Sequence, residues 1–210
     1  MRQGGSGGGY FQAGDPIFVD RNGDYIINDQ DDRSVIGNSQ PIYTGGFATT
    51  VSYKNFSLSV NGSFTIDRDI MNTAIAERLV MTGNPFGTQA VLPLTGLDFW
   101  TKPGDIAKYP NPYNYTRAVL VAPFRTNQSL FMEDGSYFKI NAVTVGYTLP
   151  KELANKLRLN NLRIYLTGDN LATFSRYSGP NPENVTALGF DNSGGYPLAR
   201  RYTVGLNLEL

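Results

Sequence analysis

The sequence predicts an all-β chain, namely part of an antiparallel transmembrane β-barrel with long extracellular loops. Three observations support this prediction. Several segments of roughly ten residues alternate between apolar and small polar side chains. Short and long connections alternate between those segments. The composition favours Gly (23), Tyr (13) and Phe (12), and aromatic, β-branched and small polar residues suit strands and turns better than helices.

The first two predicted strands form a hairpin over residues 42–67, joined by the short turn Lys54-Asn55. One side of the hairpin is apolar and aromatic, and the other consists of Ser, Thr, Ala, Asn and Gly with almost no charge. The larger members of the apolar series are Tyr43, Phe47, Val51, Tyr53, Phe56, Leu58, Val60, Phe64 and Ile66. This period of two is that of a strand with two different faces.

Three more strands are predicted in the second half of the chain. In the first, from Ser136 to Leu149, the apolar series Phe138, Ile140, Ala142 changes phase to Val143, Val145, Tyr147. A phase change of one residue is what a β-bulge produces. A second hairpin is therefore expected over residues 135–172, and a final strand over 198–210, ending in Leu210.

The connections are expected to lie on opposite sides of a membrane. The links at 54–55 and 150–160 are short, and the second is compact enough for a helical turn. The segments 1–41 (Gly-rich, then Asp-rich), 68–134 and 173–197 are long, and a short helix is possible at Met71–Met81. Outer-membrane barrels have short periplasmic turns and long external loops, so the long segments are predicted to lie outside the cell. Because a structureless connection of this length is rare in a packed domain, residues 68–134 are expected to form a functional loop or lid.

A soluble β-sandwich also alternates with period two, and it is the alternative fold. Its outward face would usually carry Lys and Glu, whereas the polar faces here carry Ser, Thr, Asn and Gly. Tyr53, Phe56, Tyr147 and Tyr202 lie near predicted strand ends, where a membrane barrel has aromatic girdles. Five strands cannot close a barrel, so the chain is expected to be a fragment of a larger protein, and the alternative is a separate component of a larger barrel.

Composition excludes several classes of function. With 18 basic and 18 acidic residues the net charge is zero, so no nucleic-acid partner is expected. The chain has no Cys and no His, which removes zinc sites with those ligands and Ser-His or Cys-His catalysis, and no enzymatic activity is predicted. There is no apolar run long enough for a transmembrane helix. The Gly-rich start is not a secretory signal peptide, so any export signal is expected upstream.

Six segments, in a fixed order, resemble the C-terminal region of the SusC/RagA family of TonB-linked outer-membrane transporters. They are the Asp-rich stretch from Gly14 to Asn38, the segment from Glu133 to Ile140, the run Val145-Gly146-Tyr147-Thr148-Leu149-Pro150, the strand Leu162-Arg163-Ile164-Tyr165 with Asp169-Asn170-Leu171, the loop Tyr177-Ser178-Gly179 with Asn181-Pro182-Glu183, and the region of Pro197 with the final strand. Together they span most of residues 14–210.

The resemblance implies a barrel of about twenty-two strands, of which this chain would supply about five, in the outer membrane of a Gram-negative, Bacteroidetes-like cell. It implies nutrient import, of oligosaccharides or peptides, energised by TonB through an N-terminal plug that this chain lacks. It also implies a SusD-like surface lipoprotein as a lid, and the barrel-assembly machinery as reader of the last strand. The family usually ends in an aromatic residue, whereas this chain ends in Leu210.

The Asp-rich loop has the spacing of a calcium loop. Positions 1, 3, 5, 9 and 12 are occupied by Asp20, Asn22, Asp24, Asn28 and Asp31, and the carbonyl of Ile26 stands at position 7. Position 6 is Tyr25 instead of Gly, and position 12 is Asp instead of Glu. The loop is a candidate Ca²⁺ site, and the alternative is a solvated acidic loop with Asx turns. A Ca²⁺-dependent surface binding or adhesion module without transport is the alternative function.

Two further sets of residues are candidates for contact with a substrate. Trp100, which is near Phe99, Tyr109, Tyr113 and Tyr115, can stack on sugar rings or pack against a lid protein, and the alternative is a packing core of the loop itself. Arg163, Tyr165, Thr167 and Asp169 face the lumen if Leu162, Ile164 and Leu166 face lipid. They would then line the permeation path or pair with the plug.

Overall fold

The structure, a computed structural model, describes residues 1–4, 8–82, 95–112, 115–191 and 198–209. The chain divides into two compact units. The first unit comprises 1–37, 71–133 and 185–193, and the second comprises 38–70, 134–184 and 194–210. Among the described helices, none has the length and apolar character needed to cross a membrane.

Most of the regular structure is strand. The strands are β1 (Arg2–Gln3), β2 (Ile26–Ile27), β3 (Tyr43–Tyr53), β4 (Phe56–Ile66), β5 (Asp69–Met71), β6 (Met132–Asp134), β7 (Tyr137–Thr148), β8 (Asn161–Ser175) and β9 (Arg201–Glu209). The helices are α1 (Thr73–Thr82), α2 (Tyr115–Val121) and α3 (Lys151–Lys156), with a 3-10 turn at Ser129–Phe131.

The second unit is built on a five-stranded antiparallel sheet with the order β3-β4-β7-β8-β9. The antiparallel sheet predicted from the alternation is therefore confirmed. Strands β3 and β4 meet at the predicted two-residue turn, where Lys54 has a φ of 53°. Two-residue hairpins need positive φ values because their twist then matches that of the strands. The predicted helical turn in the connection 150–160 is α3.

The pairing register gathers the apolar side chains of all five strands on one face. Directly opposed residues point to the same side of a sheet. Val51 lies opposite Leu58, Leu58 opposite Val145, Val145 opposite Leu166, and Leu166 opposite Val204. A continuous apolar row therefore crosses the whole sheet, as the alternation predicted.

The predicted β-bulge in β7 is confirmed, but it lies one residue earlier than the sequence suggested. On β4, Asn61 pairs with Ala142 and Gly62 pairs with Ile140, which leaves Asn141 as the extra residue. Ala142 therefore shares the polar face with Asn61, and its place in the predicted apolar series is wrong. The phase changes between Ile140 and Ala142 because the inserted residue is Asn141 itself.

Strand β8 continues past the predicted end of its hairpin at 172. Its last residues, Phe174 and Ser175, pair with Phe138 and Tyr137 at the start of β7. The extension follows a second irregularity, because Asn170 has a φ of 54° and β8 there contains more residues than β7. The loop predicted from 173 therefore begins after Ser175.

The first unit has a hydrophobic core of its own. The buried members of this core are Met71, Ala76, Leu79, Tyr109, Phe124 and Phe131. Helix α1, which the sequence suggested at Met71–Met81, begins after Asn72, whose side-chain oxygen accepts a hydrogen bond from the Ile75 N–H at 3.1 Å. Asn72 also donates to Glu133 at 3.1 Å. The described part of residues 68–134 is not structureless, because residues distant in sequence come together in this core. That these residues form a functional loop or lid stays a prediction.

Candidate functional site

The apolar face of the five-stranded sheet is exposed. The exposed fractions are 42% for Leu58, 45% for Val145, 48% for Leu166 and 57% for Leu208. Large apolar side chains in a soluble domain are usually covered, and a contiguous exposed patch marks a surface that meets a partner or a membrane. This face is therefore the first candidate functional surface.

Aromatic rings lie near both ends of this face. At one end Phe56 contacts Tyr147, with ring centroids 4.7 Å apart, and Tyr53 lies opposite Phe56. At the other end Phe138 stacks on Phe47 at 5.4 Å and lies 6.4 Å from Phe174. Mainly aliphatic residues lie between. Eight residues of strand separate the two levels on β4, which is about 27 Å along the strand. A tilted strand of that length matches an apolar band about 25 Å tall.

The four lumen candidates of β8 lie on the opposite, polar face. Thr167 hydrogen-bonds Thr144 across the strands at 2.9 Å. Asp169 accepts a hydrogen bond from Arg201 Nε at 2.9 Å. The structure therefore brings Arg163, Tyr165, Thr167 and Asp169 together on one face, each in contact with a neighbouring strand, whereas Trp100 belongs to the other unit.

Two glycines give the larger side chains of this face their positions. Arg163 crosses Gly146 and donates to Ser57 Oγ at 3.1 Å, and a Cβ atom at Gly146 would lie 2.8 Å from the guanidinium. Tyr165 lies over Gly205, where a Cβ atom would be 2.1 Å from the ring. Arg163 Nε is buried without a hydrogen-bond partner among the described residues.

The polar face also carries an ion pair that sequence reasoning missed. Lys139 of β7 pairs with Glu183, and their side chains are 8% and 25% exposed. Beside them Arg68 donates to the carbonyl of Pro182. These contacts hold residues 176–184 against the polar face of the sheet. The feature of the sequence that could have indicated this ion pair is Lys139 itself, a single charged residue on a face of β7 that otherwise carries small polar residues.

The Asp-rich loop folds through hydrogen bonds to its own backbone. The carboxylate of Asp20 accepts from the N–H groups of Gly23 at 2.7 Å and Tyr25 at 2.8 Å. Asn22 accepts from Asp24 at 3.1 Å, and Asp24 from Ile26 at 2.7 Å. Tyr25 has a φ of 63°, which is the left-handed conformation that a calcium loop demands at position 6.

The second half of this loop is fastened by Asp32, which sequence reasoning did not select. Its two oxygens accept from the N–H groups of Arg21 and Asn28, both at 2.8 Å. These two hydrogen bonds hold the pKa of Asp32 below its ordinary value near 3.8. Asn28 also donates to Asp31 at 3.1 Å. In the part of the chain that the structure describes, no group of three or more His, Cys, Asp or Glu side chains is arranged to hold a metal ion.

The aromatic group around Trp100 divides into a core part and a cavity part. Phe99 and Tyr109 contact each other at 5.6 Å, and Tyr109 is buried in the core of the first unit. Trp100 instead lies against Gly14 and lines a cavity of about 540 Å³ with Ile106. Tyr113 and the side chain of Tyr115 lie outside the described residues.

Comparison with known proteins was made by sequence and by structure. No protein-family model matches the chain. TonB-dependent receptor P3 of Formosa agariphila is 28% identical over 206 residues, which are 93% of this chain and 19% of that receptor. The chain resembles TonB-dependent receptors. TonB-dependent receptor P39 of the same organism is 29% identical over 209 residues, covering 94% of this chain and 19% of that receptor. The chain thus spans about a fifth of the length of these curated relatives.

Solved structures with the same fold include those of RagAB. The RagAB peptide importer in the open-open state matches 88% of this chain and 19% of its own, with a TM-score of 0.64 and 22% identity. The RagAB peptide transporter matches 83% and 18%, with a TM-score of 0.58 and 23% identity. The predicted resemblance to SusC/RagA-type transporters is confirmed, and the fold favours the membrane barrel over the β-sandwich. These names describe receptors and importers, and none of them describes an enzyme.

Proposed function

We propose that this chain forms wall strands and external loops of an outer-membrane transporter of the SusC/RagA type. In this proposal the apolar face of the five-stranded sheet contacts lipid, and the polar face lines a solvated or plugged lumen. The observation that carries the proposal is the exposed apolar face, with aromatic rings at both ends and hydrogen-bonded polar side chains on its reverse. A membrane barrel needs both properties in the same strands.

The transported material is proposed to be a nutrient, either oligosaccharides or peptides, taken up with energy from TonB. The similarity to TonB-dependent receptors and the fold shared with a peptide importer support import in general. The plug, which would couple to TonB, lies outside this chain. A SusD-like surface lipoprotein is the proposed partner on the external side, and the barrel-assembly machinery is the proposed reader of the last strand. The proposed location is the outer membrane of a Gram-negative bacterium related to Formosa.

Site-directed labelling tests the placement of the two faces. The chain has no native cysteine, so single cysteines can carry spin labels without background in this part of the protein. Labels at Leu58, Val60, Leu206 and Leu208 should be reached by lipid-soluble quenchers and shielded from aqueous ones. Labels at Ser59 and Thr203, on the polar face, serve as matched controls and should show the reverse. Aqueous access at the four apolar positions would end the proposal.

Growth of the producing bacterium tests the import itself. A strain that lacks the gene should lose growth on one class of oligosaccharide or peptide as the sole nutrient, and the intact gene should restore it. Loss of TonB should reproduce the same defect, because the outer membrane has no energy source of its own. Normal growth of both strains on every nutrient that the wild type uses would contradict the import role. The alternative of a Ca²⁺-dependent adhesion module has no support among the relatives named above.

We further propose that the Asp-rich loop of this protein binds Ca²⁺ in a structural role. Asp20, Asn22 and Asp24 supply hard oxygen ligands, and the left-handed Tyr25 supports the sharp turn between them. Calorimetry on the protein that carries this chain should detect heat on addition of Ca²⁺. Asp24→Asn should weaken that binding, whereas Asp29→Asn should not, because Asp29 pairs with Arg33 instead. Absence of heat at millimolar Ca²⁺ would refute the site.

A further inference from the structure

Residues 176–184, the segment that follows β8, lie against the polar face of the second unit. Lys139 of β7 forms an ion pair with Glu183 of this segment. Arg68, which lies just beyond the end of β4, donates a hydrogen bond to the carbonyl oxygen of Pro182. The segment is therefore attached to the sheet at two neighbouring residues, by side chains that come from two different parts of the sheet.

Thr65 shows which part of the polar face the segment covers. It shares this face of β4 with Ser63, which pairs with Lys139, so Thr65 and Lys139 are diagonal neighbours. Arg68 follows Thr65 along the chain, and Thr65 therefore lies between the two attachment points. Its exposed fraction is only 4%, whereas Thr173, which pairs with Lys139 from β8, is exposed. The segment therefore covers the β4 side of this face and leaves the β8 side open.

The segment has a fixed conformation of its own. Asn181 accepts two hydrogen bonds, one from the Glu183 N–H to its side-chain oxygen at 3.0 Å and one from the Asn184 N–H to its carbonyl oxygen at 3.2 Å. The buried ring of Tyr177 lies over Gly179, where a Cβ atom would be 2.3 Å from the ring. A hydrogen-bonded turn and a buried aromatic ring therefore hold the segment in shape.

The segment has a buried side and an open side. Tyr177 and Pro182 are buried, whereas Pro180, which lies between them in sequence, is exposed. Proline fixes the φ angle of its own residue, so the chain around Pro180 has little freedom to flatten against the strands. A rigid ridge therefore projects from the polar face, and Pro180 belongs to its open side.

We propose that residues 176–184 form a constriction inside the lumen of the barrel. The proposal rests on the proposed function, because a segment on the polar face lies inside the lumen only if that face lines the lumen. Material that crosses this level meets Pro180 and Asn181 instead of the covered part of β4, so the segment takes part in selecting substrates by size. The sequence predicts an external loop over residues 173–197, and in this proposal the part of that loop up to Asn184 turns inward.

Two thiol reagents of different size, applied to intact cells, test the position of the segment. One is a small membrane-impermeant maleimide, and the other is a polyethylene-glycol maleimide too large for a narrowed lumen. The matched variants are Pro180→Cys and Val19→Cys, both at exposed positions of long connections in a chain without native cysteine. Val19→Cys should react with both reagents, whereas Pro180→Cys should react with the small reagent and lose most of its reaction with the large one. Equal reaction of both variants with the large reagent would overturn the proposal.

A cysteine at Thr65 reports whether the segment covers the wall. The small maleimide should react slowly with Thr65→Cys, and adding Glu183→Gln should raise that rate about thirtyfold, the scale of one partly buried ion pair. Adding Asp169→Asn, which removes an exposed ion pair on the same face, should change the rate about twofold or less. Thr173→Cys should react fast in every background. A reaction rate at Thr65→Cys that does not depend on Glu183 also overturns the proposal.

The spin labels described above separate failure of this inference from failure of the proposed function. If the labels at Leu58 and Leu206 report lipid contact while Pro180→Cys reacts freely with the large reagent, the constriction is refuted and the transporter proposal stands. Aqueous access at Leu58 and Leu206 refutes both proposals. If Thr65→Cys fails to assemble, the comparison of Pro180→Cys with Val19→Cys still decides the outcome.

Discussion

Replacing Glu183 with Gln leaves the ammonium of Lys139 without its negatively charged partner. Replacing Lys139 with Met leaves the carboxylate of Glu183 without its positively charged partner. The two changes should differ in size, because the side chain of Lys139 is 8% exposed and that of Glu183 is 25% exposed. Removing one partner of a fully buried ion pair costs about 3–5 kcal/mol. The lysine cannot reach water after Glu183→Gln, whereas the carboxylate can turn to solvent after Lys139→Met.

We therefore expect Glu183→Gln to destabilise the attachment of residues 176–184 by about 2 kcal/mol and Lys139→Met by about 1 kcal/mol. The difference of about 1 kcal/mol corresponds to about a fivefold difference in the opening equilibrium. Hydrogen exchange of the amides of residues 176–184, followed by mass spectrometry on the protein in detergent, measures this equilibrium directly.

The pair Arg201–Asp169 provides the control for this experiment. Its arginine side chain is 74% exposed, so Asp169→Asn should change exchange near β9 by a factor of about two or less. Equal effects of Glu183→Gln and Lys139→Met, or a larger effect of the lysine variant, would refute the reasoning from burial. Fully additive effects in the double variant would show that the two side chains do not interact.

Three further changes have defined outcomes. Gly205→Val should destabilise the pairing of β8 with β9 by about 2 kcal/mol through collision with the Tyr165 ring, and Tyr165→Ala in the same protein should restore much of the loss; unfolding in denaturant measures both. Asn72→Ala removes the cap of α1 and a buried hydrogen bond, so it should cost about 2 kcal/mol in the first unit. Asn127→Ala, at an exposed position of the same unit, is the mild comparison. The stabilisation that the charged Asp32 gives to the Asp-rich loop should be complete above the ordinary pKa near 3.8 and be lost as the pH falls through the lower pKa of the folded state. Proteolysis within this loop should therefore accelerate at acid pH. The variant Asp32→Asn should be cleaved faster than the wild type already at neutral pH.

Strand faces were predictable because they depend on local geometry alone. In a strand, residue i and residue i+2 point to the same side whatever surrounds them, so the alternation of Leu58 and Val60 with Ser57 and Ser59 fixed their faces in advance. The position of the bulge was less well determined. An Ala is small enough to suit either face, so the pattern could not distinguish insertion at Asn141 from insertion at Ala142.

The contacts that join distant parts of the chain could not be read from local patterns. The core of the first unit combines Met71 and Leu79 with Tyr109 and Phe131, and no period in residues 68–134 indicates which of these side chains meet. The pairing of Lys139 with Glu183 likewise spans 44 positions. The Asp-rich loop is an intermediate case. Its ligand spacing is visible in the sequence, whereas the two hydrogen bonds that Asp32 accepts depend on how the backbone places the N–H groups of Arg21 and Asn28.

The hydrogen bonds across the polar face have a consequence for how the strands find their alignment. A slip of one residue would exchange the two faces of a strand, and a slip of two would keep greasy side chains together while separating Thr50 from Ser59 and Thr144 from Thr167. Aliphatic surface accepts many offsets at similar cost, whereas a hydroxyl or guanidinium has few correct partners. The polar face of the sheet therefore sets the pairing register during assembly, and the apolar face can vary in composition as long as its residues remain apolar.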